Sequence, residues 1–270
     1  MTLLTAKTEL TPRQQEIFSF CEDHFFANEN PNYVAKQSRF FTEGYDAFGL
    51  DDNQLRHLRD EVFQRFQPSM PEMAELAYHF LATGKYEFGS LGLMMLKKNR
   101  PRLERGVFAH LKRSLDEVVQ TWTHADIIGT KLTPVLLELE LVTLQDFEPW
   151  RFSASKWTRR VSAVTLLYLR NRVEVETLLE YVTPLLQDKT RPVHQGVGWF
   201  LRELWKIHPR EVEDFLFIHK DQAAPIIIQY ATEKMNKDKK KRFRRAISKT
   251  GKPAAHRNKK DRPTKVEIDE

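Results

Sequence analysis

The chain of 270 residues contains one cysteine and 10 glycines. Because Cys21 is the lone thiol, no internal disulfide can form, and a disulfide-stabilised scaffold is excluded. We expect Cys21, which is close to Phe20 and Phe25, to be a small residue of the core. No glycine occurs between Gly129 and Gly196, whereas the tight turns of β-hairpins require glycine or asparagine. The glycine distribution therefore predicts helices rather than hairpins.

The sequence also has no long apolar run. The first ten residues contain no segment of signal-peptide length, and no uncharged stretch is long enough to span a bilayer. Hydrophobic residues make up 41% of the chain and charged residues 30%, a balance typical of a globular protein. We therefore expect a cytoplasmic protein with no membrane partner.

The excess positive charge is confined to the C-terminal end. The net charge is +6, but residues 234–270 contain 15 Lys and Arg against 5 Asp and Glu, so residues 1–233 carry a net −4. We divide the chain into one helical domain, residues 1–233, and a basic tail, residues 234–270, whose few apolar residues predict disorder. The tail is either a solubilising extension or a polybasic arm that follows a phosphate backbone through counterion release.

Short breaks in the body carry the residues that start helices, a capping side chain or a proline. They occur at Thr11–Pro12, Asn30–Pro31, Ser69 with Pro71, Thr190 with Pro192, and His208–Pro209. Two helices have apolar residues at positions i, i+4, i+7 and i+11, namely Trp157, Val161, Val164 and Tyr168, and Val193, Val197, Phe200 and Leu204. The sets are 36 residues apart, and a helical pair that repeats every ~35 to 45 residues is typical of an α-solenoid of HEAT type. The sequence therefore predicts an all-α solenoid whose concave face binds an extended partner.

Many familiar catalytic motifs are absent. The sequence contains no P-loop, no glycine-rich dinucleotide turn, no nucleophile elbow and no group of metal ligands at a recognised spacing. We therefore expect neither a cofactor nor a metal ion. The residues that remain as candidates are tryptophans next to charged side chains.

Trp122 and Asp126 are four residues apart and share a face if the segment is helical. Asp126 then lies at the edge of an apolar stripe that continues from Leu111 and Leu115. A carboxylate there is costly unless it is paired or used. One interpretation makes Thr123 the helix cap and Asp126 a first-turn residue or half of a structural ion pair. The other makes Asp126 a functional carboxylate.

A Trp-x-x-Arg quartet occurs twice and places Arg160 after Trp157 and Arg202 after Trp199. Trp157 lies on the apolar stripe of its helix and is expected in the core. Trp199 lies about 120° from its stripe, so it either packs against the next repeat or lines a surface. Each arginine is suited to pairing with a glutamate or to binding a phosphate.

Three segments resemble the AlkD-like DNA alkylation repair family, whose members are HEAT-like-repeat DNA glycosylases that excise N3- and N7-alkylated purines. They are residues 121–126 (TWTHAD), 156–164 (KWTRRVSAV) and 196–203 (GVGWFLRE). The third is the most specific, because the family pattern there is glycine–tryptophan followed by leucine–arginine–glutamate. The resemblance extends over residues 12–236 and leaves the basic tail out. Thr121 departs from it, since the family often has a second tryptophan at this position.

The resemblance implies a role for each matching residue. Asp126 corresponds to the catalytic carboxylate, and Trp122 and Trp199 correspond to aromatic walls beside the damaged base. Arg160 and Arg202 correspond to contacts with the DNA backbone. The implied partner is duplex DNA that carries alkylated purines. The protein is expected to be a monomer. Its expected location is a bacterial-type cytoplasm, where it associates with the nucleoid when bound to DNA.

Two other functions are compatible with the same sequence. A non-catalytic HEAT-like protein that binds distorted or branched DNA is favoured by the charge of the tail and by Thr121. A protein-binding scaffold is what the repeat pattern alone suggests.

Overall fold

The computed structural model describes residues 9–244, and every regular element in this range is helical. Its fourteen α-helices are α1 (Pro12–Ala27), α2 (Pro31–Ser38), α3 (Asp52–Phe66), α4 (Met70–Ala82), α5 (Tyr86–Lys98), α6 (Arg105–Glu117), α7 (Trp122–Ile127), α8 (Thr133–Glu138), α9 (Lys156–Leu169), α10 (Val175–Val182), α11 (Arg191–Trp205), α12 (Pro209–His219), α13 (Pro225–Ala231) and α14 (Lys237–Arg242). Short 3-10 helices span Arg100–Arg102, Leu144–Phe152 and Thr183–Gln187, and a π-helical turn spans Ile128–Leu132.

The helices begin where the sequence predicts. The side chains of Thr11 and Ser69 each accept a hydrogen bond from a backbone N–H of the first turn and complete a capping box, which satisfies donors that have no partner inside the helix. Asn30 caps α2 in the same way, with its side chain bound to the N–H of Tyr33. Thr190 and His208 precede α11 and α12. All five predicted helix starts are therefore confirmed.

The helices form two layers. In one layer α3, α5, α7 with α8, α9, α11 and α13 lie side by side, each packed against the next. The other layer contains α4, α6, the 3-10 helix Leu144–Phe152, α10 and α12, and α4 packs closely on α5. Such stacking of helix pairs is the architecture of an α-solenoid. The all-α solenoid predicted from the 36-residue spacing is confirmed.

The two predicted apolar stripes are buried. Val193, Val197, Phe200 and Leu204 are fully buried in α11, and Trp157, Val161 and Val164 are buried in α9. Tyr168, at the end of the α9 stripe, is only partly buried and packs against the core. Cys21 lies in the core as expected, and burial raises the pKa of its thiol well above the usual range.

The apolar stripe predicted to continue along one helix from Leu111 and Leu115 to the segment of Asp126 is a wrong prediction. Helix α6 ends at Glu117, and α7 begins at Trp122. Thr121, not Thr123, is the N-cap, and its side chain accepts a hydrogen bond from the N–H of His124 at 3.4 Å. The cap competes with helix continuation, because a capping threonine adopts an extended backbone. Asp126 consequently lies beyond the first turn of α7.

The helical body continues past the boundary predicted at residue 233. Asn236 caps α14, Phe243 is buried, and the Lys239 ammonium lies 2.6 Å from the Glu213 carboxylate of α12. The first residues of the basic segment are therefore part of the packed structure. The rest of the tail predicted to be disordered, residues 245–270, lies outside the described residues. Between residues 9 and 244, no helix combines the length and apolarity needed to cross a membrane.

Candidate functional site

The candidate carboxylate lies just before an irregular turn of helix. Helix α7 passes at Ile127 into the π-helical turn Ile128–Leu132, which leads into α8. Pro134 has no N–H to donate to the preceding turn, so the regular hydrogen-bond ladder cannot continue there. The Thr133 hydroxyl instead donates to the carbonyl of Gly129 at 3.1 Å. Single π-turns of this kind often occur at functional sites.

Gly129 lets this turn approach α9. A Cβ at this position would lie 2.9 Å from Cγ1 of Val164, closer than two carbon atoms can pack. The close approach sets the spacing between the helix that carries Asp126 and the helix that carries Arg160.

Asp126 and Arg160 form a two-pronged ion pair across these helices. The Arg160 Nε donates to Oδ1 of Asp126 and Nη2 donates to Oδ2, both at 2.8 Å. The third prong, Nη1, donates to the carbonyl of Pro192 at the start of α11, at 2.6 Å. The Arg160 side chain is only 6% exposed and that of Asp126 is 15% exposed. One guanidinium thus holds together three helices, α7, α9 and α11.

The structural ion pair considered for Asp126 is therefore present, and the first-turn interpretation is wrong. Breaking a buried pair leaves an uncompensated charge, so the pair is held firmly once formed. Of the two side chains, that of Asp126 keeps the larger exposed fraction.

Trp122 lies in a group of aromatic side chains. The Phe41 ring stacks on Trp122 with a centroid separation of 6.2 Å and on Tyr45 at 4.4 Å. Tyr86 meets Phe41 edge-on at 5.4 Å and stacks on His124 at 5.0 Å. We refer to these five residues as the Trp122 cluster. Phe41, Tyr45 and Tyr86 lie 36 or more residues from Trp122, so sequence spacing gives no signal that they meet it.

His124 fixes α7 to α5. Its Nε2 lies 3.1 Å from the Ser90 hydroxyl and 3.1 Å from the carbonyl of Tyr86. A Cβ on Gly89 would lie 2.7 Å from the His124 ring, so only glycine permits this contact. Burial lowers the pKa of His124 to about 4, and the hydrogen bond to Tyr86 opposes this only partly. His124 is therefore neutral near pH 7 and acts as a packing residue.

Trp199 belongs to α11, the third helix that Arg160 joins. It is partly buried and packs against the core. Gly196, three residues earlier, lies against the Arg160 side chain, and a Cβ there would be 3.1 Å from Cγ of Arg160. Trp199 is therefore about one turn along α11 from the Arg160 contact. Among the described residues it makes no ring contact with Trp122.

Arg202 is bound by two carboxylates of the chain. Its Nε donates to Glu203 at 3.0 Å, and Nη1 donates to Glu233. Lys206 also contacts Glu203. Neither Arg160 nor Arg202 is a free cation in this structure. Their expected contacts with a DNA backbone stay predictions.

A second group of cations includes residues of α3, α5 and the π-turn. Lys97, near the C-terminal end of α5, is repelled by Lys131 of the π-turn, by Arg56 and Arg59 of α3 and by Arg100. Burial, followed by the repulsion from these charges, lowers the pKa of Lys97. Like charges gathered on three successive helices are typical of a surface that binds a polyanion. In residues 9–244 no three His, Cys, Asp or Glu side chains are grouped so that they could hold a metal ion.

The model of the family described as "DNA alkylation repair enzyme" matches residues 21–235. The chain belongs to this family. The match includes Asp126, Arg160 and both tryptophans of the candidate site, and it ends before most of the basic tail. Membership of this family indicates a role in DNA repair and binding to DNA.

A solved structure shows the same fold. It is described as a predicted DNA alkylation repair enzyme from Enterococcus faecalis, and its TM-score with this chain is 0.67 at 16% sequence identity. The match covers 78% of this chain and 98% of the other. No curated protein matches the chain. At such low identity, the similarity establishes the helical-repeat fold of this DNA alkylation repair family member.

Proposed function

We propose that the protein is a DNA glycosylase that hydrolyses the N-glycosidic bond of cationic N3- and N7-alkylated purines in duplex DNA. The observation that supports this best is the Asp126 carboxylate, which Arg160 holds in a fixed orientation four residues from the half-exposed Trp122. A preorganised anion beside aromatic faces suits a reaction in which positive charge develops on a sugar.

The chemistry requires no general acid. An N3- or N7-alkylated purine is already cationic, so it leaves as a neutral base when the glycosidic bond breaks. The positive charge moves to the sugar, which becomes oxocarbenium-like. Asp126 stabilises this cation and orients the attacking water, while Trp122 and Trp199 present their electron-rich faces beside the damaged nucleotide.

The ion pair limits how much Asp126 contributes. A unit charge pair 4 Å apart is worth about 4 kcal/mol at an effective dielectric near 20. Arg160 cancels part of this field, and the substrate is cationic before the reaction as well as during it. Only the difference between transition state and ground state accelerates the reaction. We therefore expect Asp126 to contribute a factor of about 10² to the rate.

Release of 7-methylguanine or 3-methyladenine from methylated duplex DNA tests the proposal. The wild-type protein is expected to release these bases, and Asp126→Asn is expected to lower the single-turnover rate about 10²-fold. The temperature is kept well below the unfolding midpoint of each variant, since Asp126→Asn also weakens a buried pair. The absence of release by the wild type, or an undiminished rate in the variant, contradicts the proposal.

Asp116 provides a matched control. It is an aspartate on α6 that also accepts hydrogen bonds from residues distant in sequence, from Thr158 of α9 at 2.6 Å and from Ser153 at 2.7 Å. Asp116→Asn therefore changes a hydrogen-bonded carboxylate and alters the net charge equally. We expect this variant to retain the wild-type rate, because Asp116 is not part of the Asp126–Arg160 pair.

A second candidate is a non-catalytic protein that binds distorted or branched DNA. It is favoured because Arg160 binds both carboxylate oxygens of Asp126. A purely structural ion pair has the same geometry. This alternative predicts tighter binding to four-way junctions or flaps than to a methylated duplex, with no base released from either.

A further inference from the structure

The segment between α2 and α3, residues 39–50, reaches the candidate site from outside its own repeat. We refer to it as the brace. Its C-terminal end is fixed by the buried carboxylate of Glu87, which accepts hydrogen bonds from the backbone N–H groups of Phe48 at 2.9 Å, Gly49 at 2.7 Å and Leu50 at 3.2 Å. Gly49 has a φ of +95°, and a Cβ there would lie 2.3 Å from the Asn30 carbonyl. This end of the brace is held by hydrogen bonds and close packing.

The other end of the brace touches the two helices that carry the ion pair. Phe41 stacks on Trp122, the first residue of α7. Glu43 binds Lys156, the first residue of α9, with Oε1 at 2.5 Å from Nζ. Trp122 precedes Asp126 by four residues, and Lys156 precedes Arg160 by four. Residues at this spacing share a helix face, so each contact lies one turn before a member of the pair.

The Glu43–Lys156 pair is more exposed than the Asp126–Arg160 pair. The side chain of Lys156 is 35% exposed and that of Glu43 is 39% exposed. Glu43 is followed by Gly44, which has a φ of +103° and open space on the side where a Cβ would stand, with no neighbouring atom within 4 Å. Exposed pairs contribute little to stability. Glu43 can therefore leave Lys156 without disturbing the packed structure.

We propose that Lys156 is a binding residue for a DNA backbone phosphate and that Glu43 occupies it as an internal anion when DNA is absent. This inference rests on the proposed function insofar as that function requires duplex binding. A DNA phosphate displaces Glu43 from Lys156, because counterions condensed on the DNA are released when a lysine neutralises a phosphate. The Glu43 carboxylate thereby weakens binding to DNA in general.

A double-mutant cycle on the full chain tests the competition. Dissociation constants are measured over a series of salt concentrations for unmodified duplex DNA with the wild type, Glu43→Gln, Lys156→Gln and the double variant. We expect Glu43→Gln to tighten binding about 3- to 10-fold at low salt, and Lys156→Gln to weaken it and flatten the log–log salt slope by about 0.9. In the Lys156→Gln background, Glu43→Gln loses most of its effect.

Glu180→Gln is the control for net charge. Glu180 is exposed on α10, in the other layer. Its replacement changes the charge by the same amount as Glu43→Gln, and we expect it to alter affinity less than twofold, because a distant exposed charge is screened by salt. Thermal unfolding midpoints of all variants are expected to stay close to that of the wild type, as for any exposed pair.

The outcomes separate this inference from the proposed function. If Glu43→Gln weakens binding or leaves it unchanged, or if its effect persists without Lys156, the brace is only structural and the inference fails, whether or not bases are released. If the wild type binds duplex DNA with the expected coupling but releases no base, the inference stands and the glycosylase proposal fails. If the wild type binds no DNA, both fail.

Discussion

The Trp-x-x-Arg quartet occurs twice in the sequence, and the structure uses the two copies differently. In the first copy Trp157 is buried and Arg160 links three helices through Asp126 and Pro192. In the second copy Trp199 is half-buried, and Arg202 pairs with Glu203 on its own helix and with Glu233. The same four-residue pattern thus links three helices through a buried arginine in one repeat and forms a more exposed ion pair in the next. Which role an arginine takes depends on the carboxylate that the neighbouring repeat supplies.

The largest difference between the copies is expected in stability. Arg160→Gln leaves Asp126 buried without its partner, and we expect a loss of about 3–5 kcal/mol in the free energy of unfolding. Arg202 is 20% exposed, against 6% for Arg160. We expect Arg202→Gln to cost about 1 kcal/mol or less. Urea unfolding of the two variants measures both values, and equal losses contradict a difference in role between the two arginines.

The fold is accessible from the sequence because its signals are local. Capping residues at Thr11, Ser69 and Asn30 and the apolar stripes of α9 and α11 depend on neighbours within one or two turns. The break before α7 is harder to locate from the sequence, because two local capping signals compete there. Thr121 and Thr123 are both good caps, and Thr121 becomes the cap in a segment where α6 has already ended at Glu117.

The candidate site is accessible only in part, because its contacts join distant residues. The sequence singles out Asp126 and Arg160 but does not reveal that they bind each other across 34 residues. It gives no sign that Phe41 stacks on Trp122 or that Glu43 reaches Lys156 across 113 residues. An irregular segment such as the brace has no periodicity from which its partners can be inferred.

A smaller effect is expected from His124, which fixes α7, the helix whose Asp126 pairs with Arg160 of the first copy. His124 has its pKa lowered to about 4 by burial, whereas the unfolded chain takes up a proton near pH 6.5. The stability that His124 contributes is complete above pH 6.5 and is lost as the pH falls from 6.5 towards 4. We expect the free energy of unfolding to fall by up to about 1.4 kcal/mol per pH unit in this window.

The measurement compares urea unfolding of the wild type and of His124→Gln from pH 7 to pH 4. Carboxylates affect both proteins alike, so the difference between the two pH profiles isolates His124. The variant is expected to be less stable at pH 7, since it loses the contacts with Ser90 and Tyr86. Its stability should then depend less on pH below 6.5. Parallel profiles show that His124 does not carry the acid sensitivity.

The smallest effect concerns the contact between α9 and α11, the helices that carry the two Trp-x-x-Arg copies. Replacing a helical glycine by alanine usually stabilises a protein by about 0.5–1 kcal/mol. Gly106 in α6 has no atom within 4 Å of an added Cβ, so Gly106→Ala should show this gain. At Gly196 the added Cβ meets Cγ of Arg160 at 3.1 Å. Arg160 cannot yield, because three hydrogen bonds to Asp126 and Pro192 hold its guanidinium.

We therefore expect Gly196→Ala to be neutral or destabilising in thermal unfolding while Gly106→Ala is stabilising. Because the added methyl group presses on Arg160, which orients Asp126, Gly196→Ala should also lower the single-turnover rate of base release, and Gly106→Ala should leave it unchanged. A stabilising Gly196→Ala with an unchanged rate indicates that α11 can shift away from α9. In that case the spacing of the two Trp-x-x-Arg copies is not what sets the position of the Asp126 carboxylate.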